Sequence, residues 1–360
     1  MNIVLSAQAR NQVAMYMARQ AQLNNIPVSS LVNRYNVDPA VQQRLENAIK
    51  ESTELTKKIN VIGVVDQEGE KVLIDTLGPI ARTNTTTDGS QRRNPVSAHD
   101  LKVRRYRCEQ VNYDTFIGYP VLDAWAGHPD FQARVSNQIA QQIALDRIMI
   151  GFNGTSHALV SDPVANPLRQ DVSVGWLESI RQLAPERIIS DVTLTSRDMD
   201  NKVIAAGDYG NPDALVQDVR STLLDEWYKD APDLVVMLGR DLFNTMRLPL
   251  INAMSATNPN SELLTGQLIV SSRMIGGLPV YLAPFFPADA MLITSFSNLS
   301  IYFQKGSLRR LMKEEPEYNR IATYQSMNDA YVVEDFGKCA LIEGLTFAEA
   351  APAPEPAPEA

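Results

Sequence analysis

The sequence predicts an α+β protein, and three observations carry that expectation. Residues 131–152 repeat apolar side chains at four-residue steps, the pattern of one long amphipathic helix. Residues 284–336 show strand patterning instead: Leu299, Ile301 and Phe303 alternate with Ser300 and Tyr302, the two-residue period of a half-buried strand. Between these regions, from Pro212 onward, helical and strand-like segments alternate in a compact mixed block. The 360 residues have room for about two or three ordinary domains and can bury roughly 75% of the unfolded surface. Cys108 and Cys339 are far apart, which fits two reduced thiols in a cytosolic protein; a single bridge is the alternative. The apolar run 3–5 is far shorter than a secretory h-region, and no run approaches the ~20 apolar residues of a membrane span.

Taken in chain order, residues 6–24 are rich in Ala, Gln, Met and Arg and read as a weakly amphipathic helix, interrupted by Pro27, Ser29 and Ser30. A second helix starts at Asp38-Pro39, an N-cap followed by proline at the first helical position. Val41, Leu45 and Ile49 mark its buried face. Strands are expected at 59–65 and 71–74, then a long strand at 101–119. The intervening stretch 82–100 has almost no large apolar residue and contains the Asp88-Gly89 turn signal. The pattern predicts a long hairpin, projecting from the body, whose polar tip lies on another chain, because an isolated two-stranded hairpin is marginal in water. The long helix opens at Pro129-Asp130 and is expected to end at Gly151, a rod of roughly 35 Å at 1.5 Å per residue. A helix around Trp176, a helix carrying Leu215, Val219, Leu223 and Trp227, a buried strand at 234–238, a helix at 240–248 and strands near 268–270 and 278–282 follow. The tryptophans Trp125, Trp176 and Trp227 are expected in the core. The end, AEAAPAPEPAPEA, cannot form a core and reads as an extended, disordered tail.

The hairpin is basic. Arg92, Arg93, Lys102, Arg104, Arg105 and Arg107 cluster there against Asp88 and Asp100. Three readings are open: a solvated face, nucleic-acid contact, or contact with an acidic patch on a neighbouring subunit. Glu314, Glu315 and Glu317 form a cluster able to serve as that patch, and this third reading is the preferred one. The formal charge of −9 argues against a chain that coats nucleic acid as a whole, since phosphate neutralisation needs clustered Lys and Arg.

The sequence carries no recognisable catalytic signature. His99, His128 and His157 pair with no ligand at helical spacing, and no metal or cofactor pattern is present. A Cys108–His128 nucleophile has no local signature. Asp198, Asp200 and Asn201 begin like a calcium loop, but Val203 stands where that loop needs glycine. Glu334 and Asp335 are adjacent, so on a strand they point to opposite faces and do not share a proton or a metal. A cytosolic oligomeric α/β enzyme and a nucleic-acid-binding protein remain the alternatives to a structural assembly protein.

Several motifs, in this order along the chain, carry a resemblance: GFNG at 151–154, DVSVGWL at 171–177, APDLVVMLGR at 231–240, then FFPADAMLIT, NLSIYF and QSMNDAYVVEDF between 285 and 336. They are packing and turn motifs. The sequence resembles the major capsid proteins of peduovirus-type tailed phages, whose Johnson fold is shared by tailed phages and herpesviruses. That resemblance implies an icosahedral shell of hexamers and pentamers around double-stranded DNA held without sequence-specific binding, with a scaffolding protein or maturation protease and a portal as partners. Assembly in the host cytoplasm and residence in the virion follow from it. It implies a cleaved assembly segment at 1–35, an N-arm at 36–60, an extended loop at 61–119 that overlaps the adjacent subunit, a peripheral domain with a spine helix at 120–185 and 299–346, an axial domain at 186–298 and a tail at 347–360. Because nicking concentrates in accessible linkers, Arg34, Tyr35 and Asn36 form the expected processing region.

Overall fold

Helix caps and strand alternation set the element boundaries along the chain. The computed structural model describes residues 6–76, 99–125, 130–198, 201–255 and 273–349. The first elements are α1 (Ala7–Leu23), β1 (Tyr35–Asn36), α2 (Pro39–Ser52), α3 (Glu54–Lys58), β2 (Asn60–Val64), β3 (Glu68–Thr76), β4 (His99–Arg107), β5 (Glu109–Asn112), β6 (Thr115–Gly118) and α4 (Tyr119–Trp125). Then come α5 (Phe131–Asn153), α6 (Trp176–Leu183), β7 (Ile188–Ser190), β8 (Thr193–Leu194), β9 (Ser196–Arg197), β10 (Val203–Ala205), α7 (Pro212–Leu223), β11 (Leu234–Leu238) and α8 (Arg240–Ser255). The chain finishes through β12 (Met274–Ile275), β13 (Leu278–Leu282), β14 (Met291–Ser295), β15 (Leu299–Gln304), β16 (Arg309–Glu315), β17 (Arg320–Val333), β18 (Ala340–Glu343) and β19 (Thr346–Phe347). Side chains define several helix starts. Asp38 accepts the Ala40 N–H at 2.8 Å and Asn211 accepts the Ala214 N–H at 2.8 Å, each with proline at the first helical position.

Two sheets organise the described residues. A seven-stranded sheet runs β1-β16-β17-β15-β2, with β5 and β6 also pairing with β17. A six-stranded sheet runs β12-β13-β11-β14-β18-β7. Strand β11 shows how they share one interior. Its two-residue period sends Val235 and Met237 into a core with Phe152, Trp176, Leu299, Ile301 and Tyr331. Leu234, Val236 and Leu238 face the other way, onto Leu215, Val216 and Val219 of α7. Trp176 is fully buried, and its indole N–H donates to the Ser300 carbonyl at 2.9 Å, satisfying the one polar atom it brings inside.

Several boundaries differ from the sequence expectation. Helix α5 runs past Gly151 to Asn153 and ends at Gly154. Gly151 is needed for packing: a Cβ there would collide with the Trp176 ring. Strand β2 pairs in parallel with β15 inside the body, so the arm begins after it and not at residue 61. The expected strand 101–119 is broken into β4, β5 and β6. Helix α7 stops at Leu223, and Trp227 beyond it is 52% exposed, outside the core. Helix α8 continues to Ser255. The expected strand near 268–270, the hairpin tip, His128 and the tail from residue 350 lie outside the described residues.

One polar cluster joins the long helix to α2 and β17. Arg147 is fully buried on α5. Its guanidinium makes two bonds to Glu46 of α2, at 2.6 and 3.0 Å, and two to Asp329 of β17, at 2.8 and 3.0 Å. The Tyr113 hydroxyl also donates to Asp329, at 3.0 Å. Two carboxylates therefore share one guanidinium. Burial pushes the Glu46 carboxyl above the usual carboxylate range, against the pull of Arg147.

Arg147→Met should cost about 3–5 kcal/mol, because it strands two buried carboxylates. Glu46→Gln should cost less, since Asp329 keeps its partner and the cluster loses its excess negative charge. A carboxyl raised on folding favours the folded state at low pH, and that contribution is lost as pH rises past the ordinary carboxylate range. The wild type should therefore gain stability relative to Glu46→Gln as pH falls. Urea denaturation of both variants across the acidic range measures both effects.

Candidate assembly surfaces

The basic hairpin is anchored at its base. Strands β3 and β4 pair in antiparallel register from Glu68 opposite Arg107 to Thr76 opposite His99. Lys71 forms an ion pair with the Glu334 carboxylate and donates to the Glu334 carbonyl at 2.6 Å. Glu334 also accepts from the Ser300 hydroxyl at 2.5 Å and the Tyr302 hydroxyl at 3.0 Å. Tyr106 meets Tyr302 edge to face with centroids 5.1 Å apart, and the Arg104 guanidinium lies 4.1 Å above the Phe336 ring. The base of the arm is thus docked on the seven-stranded sheet, contrary to the expectation of a hairpin with no buried face. Strand β17 ends at Val333, so Glu334 and Asp335 lie just past it and strand alternation does not place them. Asp335 instead caps the turn at 336–338 by accepting the Gly337 N–H at 2.8 Å, and it accepts from the Tyr228 hydroxyl at 2.8 Å.

The six basic residues of the arm divide into groups. Arg92 and Arg93 lie outside the described residues, and Lys102 sits on β4 opposite Leu73. Arg104 turns inward onto Phe336. Arg105 and Arg107, two apart and so on one face, turn outward. Arg105 is 3.3 Å from Glu70 across the hairpin, with its side chain 85% exposed. Arg107 lies between Glu68 at 3.3 Å and Glu109 at 3.0 Å. These exposed pairs are weak and exchangeable.

The expected acidic patch is split by the strand that carries it. Glu314 and Glu315 are neighbours on β16 and point to opposite faces. Glu314 accepts from the Tyr119 hydroxyl at 2.8 Å, beside α4. Glu315 accepts from Arg320 Nε at 2.7 Å and from the Tyr324 hydroxyl at 2.7 Å, which together hold its carboxyl below the usual range. Glu317 is exposed in the turn that follows. What Glu315 does join is a feature the sequence reading missed. The Arg320 guanidinium lies 4.9 Å from the Phe116 ring and 4.7 Å from the Tyr318 ring, with both rings more than half exposed. The register that brings Phe116 opposite Ala322, two residues from Arg320, assembles it.

The expected processing region is likewise less open than a linker. Tyr35 and Asn36 form β1 and pair with Arg310 and Arg309. The Val37 N–H donates to the Leu308 carbonyl at 2.9 Å, and Arg34 donates to the Ser326 hydroxyl at 3.0 Å. Leu31 and Val37, which flank the segment, are buried. Upstream, α1 rests on the body through Ala9 and Val13, against Tyr119, Leu122 and Ile321.

Catalytic machinery is not assembled among the described residues. No group of three His, Cys, Asp or Glu side chains there is placed to hold a metal, and no described helix is long and apolar enough to cross a membrane. His157 uses Nδ1 on the Val172 carbonyl at 2.7 Å and sits 3.5 Å from Glu109. Cys108 and Cys339 are free and buried, and burial pushes both thiols up to about 12, far from nucleophilic.

With this geometry in place, comparison with known proteins is direct. The family model described as phage major capsid protein, P2 family, matches residues 12–345. The chain is 54% identical over 334 residues to the major capsid protein of Serratia phage KSP20, across 93% of this chain and 95% of that relative. It is 42% identical over 333 residues to the capsid proteins of Escherichia phage P2, across 92% of each chain. Among solved structures it is similar to a chain of the satellite phage P4 procapsid including size determination (Sid) protein. The TM-score there is 0.74 at 37% identity, covering 96% of this chain and 100% of that chain.

The buried thiols give a simple test of the inert reading. Both cysteines should resist a neutral-pH alkylating reagent in the native chain and react fully once urea unfolds it. Mass spectrometry reads the two adducts, and rapid native labelling of either site would contradict their burial.

Proposed function

Because the chain belongs to the P2 family of phage major capsid proteins, we propose a division of labour among the surfaces it presents in a shell. The protein is a structural subunit of the tailed-phage capsid fold and not an enzyme. Its copies self-assemble as hexamers and pentamers of an icosahedral head around DNA. The observation that carries this reading is the family match over 12–345, nearly the whole of the described chain.

In the finer reading, α5 is the spine of a peripheral domain built with the seven-stranded sheet. The six-stranded sheet with α7 and α8 is the axial domain, near the capsomer axis. The β3–β4 arm reaches onto the adjacent subunit. Its outward Arg105 and Arg107 exchange their weak partners Glu70 and Glu68 for carboxylates of that neighbour, Glu317 among them. Partners outside the shell wall are a scaffolding protein or maturation protease and a portal, and the packaged double-stranded DNA is held without sequence-specific contacts. Assembly takes place in the host cytoplasm. Residues 1–35 act as an assembly segment on the inner face. A protease cutting at residues 34–36 must first peel the two-residue β1 from β16 and free the flanking Arg34–Ser326 and Val37–Leu308 hydrogen bonds.

Electron microscopy of the expressed protein tests the assignment: shells or capsomers are expected, and a monodisperse monomer with no larger species would oppose it. The double variant Arg105→Glu/Arg107→Glu should fold normally by circular dichroism and lose most shell formation. Each lost pair is worth about 0–1 kcal/mol but recurs at every subunit contact. Arg104 is excluded from this test, because it supports the fold through Phe336. Intact-mass measurement on mature, DNA-filled particles tests processing. A subunit shortened by about 35 residues is the expected product of linker nicking, and a full-length subunit would reject the cut.

A further inference from the structure

A cleft of about 410 Å³ opens in the six-stranded half of the molecule, where the N-terminus of α7, the β8–β9 turn and α8 meet β19. Its walls are oddly charged for a protein of net charge −9. Arg197 and Arg247 line it against one carboxylate, Asp213. Arg247 is only 9% exposed. Its Nη2 donates to the Met274 carbonyl at 2.7 Å and lies 3.7 Å from Asp213, but its Nε is buried with no hydrogen-bond partner. The Ser196 hydroxyl, in the same wall, is also buried without a partner. Asp213 is turned toward Gly276, whose N–H it accepts at 2.8 Å. Leaving buried donors unpaired costs about 1–3 kcal/mol each, and the first turn of a twelve-residue helix adds partial positive charge. The cleft therefore asks for an acceptor that carries negative charge. Leu194, Met246 and Phe347 supply an apolar floor.

The chain itself exits here. Phe347 is paired with Leu194 on the cleft wall, and the Ala348 N–H donates to the Leu194 carbonyl at 2.8 Å. The sequence beyond is Ala, Pro and Glu only, with Glu355 eight residues past Phe347 and Glu359 four further on. Eight residues span up to about 25 Å, so Glu355 is within reach of a cleft whose wall Phe347 itself forms. Alternating proline also limits the backbone freedom lost on docking. We propose that this cleft is a docking site for the Ala/Pro/Glu tail of the same polypeptide, residues 350–360, with its glutamates meeting Arg197 and Arg247 and its proline and alanine side chains on the apolar floor. The proposal is independent of the arm and processing readings above, since it concerns one chain before assembly.

Disulfide trapping in the full-length soluble subunit tests it. Thr245→Cys on the cleft wall is combined with Ala357→Cys between the two tail glutamates. The native thiols are buried and do not compete. Under mild oxidation an intramolecular bridge should form about tenfold faster than in a control pairing Ala357→Cys with Ser221→Cys, because docking raises the local concentration. Arg247→Gln in the test background should slow bridging about fivefold, the effect of losing one charge-assisted contact. Should Arg247→Gln fail to fold, Glu355→Gln/Glu359→Gln removes the same contacts without touching the body and should slow bridging equally. Equal rates in the test and control pairs, insensitivity to the glutamate changes, or bridges formed only between chains would overturn the proposal.

Discussion

The fold turns on a single guanidinium. Arg147 sits in the C-terminal third of α5, buried on every side, and clamps Glu46 of α2 and Asp329 of β17. A buried charge is costly unless fully paired, so this cluster tolerates one relative arrangement of three elements and penalises all others. Apolar contacts alone would let α2 slide along α5 at modest cost. The bidentate pairs fix that register, and the position of α2 in turn fixes where Gln42 meets the chain after β15: it donates to the Gln304 carbonyl at 3.0 Å and accepts the Gly306 N–H at 2.7 Å. Polar specificity here is bought with desolvation, and the neighbouring Ile49, Ala144 and Met327 supply the apolar burial that offsets it.

A subunit meant to join identical copies has to remain ordered while presenting groups that another copy can satisfy. On the proposed assembly role, the arm would meet that demand by separating its two faces. Arg104 and Tyr106 are committed to Phe336 and Tyr302 of the same chain, whereas Arg105 pairs only with the exposed Glu70, and Arg107 divides itself between the exposed Glu68 and the half-buried Glu109. The Phe116–Arg320–Tyr318 stack follows the same logic at the sheet surface. Its internal contacts pre-order the side chains, so little rotamer entropy would be left to lose if another surface covered them.

Much of the fold was legible because it rests on local rules. The Asp38-Pro39 start, the stripe of α5 and the fully apolar β11 all follow from capping chemistry and period. What was missed depends on register. Arg147 stands four residues after Ile143 and so on the same buried stripe, a sign that it needed carboxylate partners, but nothing local says those come from Glu46 and Asp329. Strand alternation separates Glu314 from Glu315 on β16, although the two are adjacent in the acidic cluster, whereas Glu334 and Asp335 fall past the end of β17, where it does not apply. Gly151 was read as a terminator because helix-ending glycines are common; its cause lies in Trp176, twenty-five residues away. The basic character of the hairpin is legible in the sequence, but which of its arginines face outward is not, because the docking of the arm's base decides that.

Strand β17 has a mechanical meaning. It is fourteen residues long and is hydrogen-bonded to β16 and β15 and to β5 and β6. A strand held in this way cannot be peeled off bond by bond from one end, as a lone hairpin can. Tension along it is shared by many backbone bonds at once, so it yields in shear rather than by unzipping. The same strand carries Asp329 and Tyr331 into the interior, so stretching it would have to break the buried ion cluster as well. In a wall built of repeated subunits, such a strand would spread load across the sheet, while the two-residue β1 at the far edge offers only a short ladder to resist it.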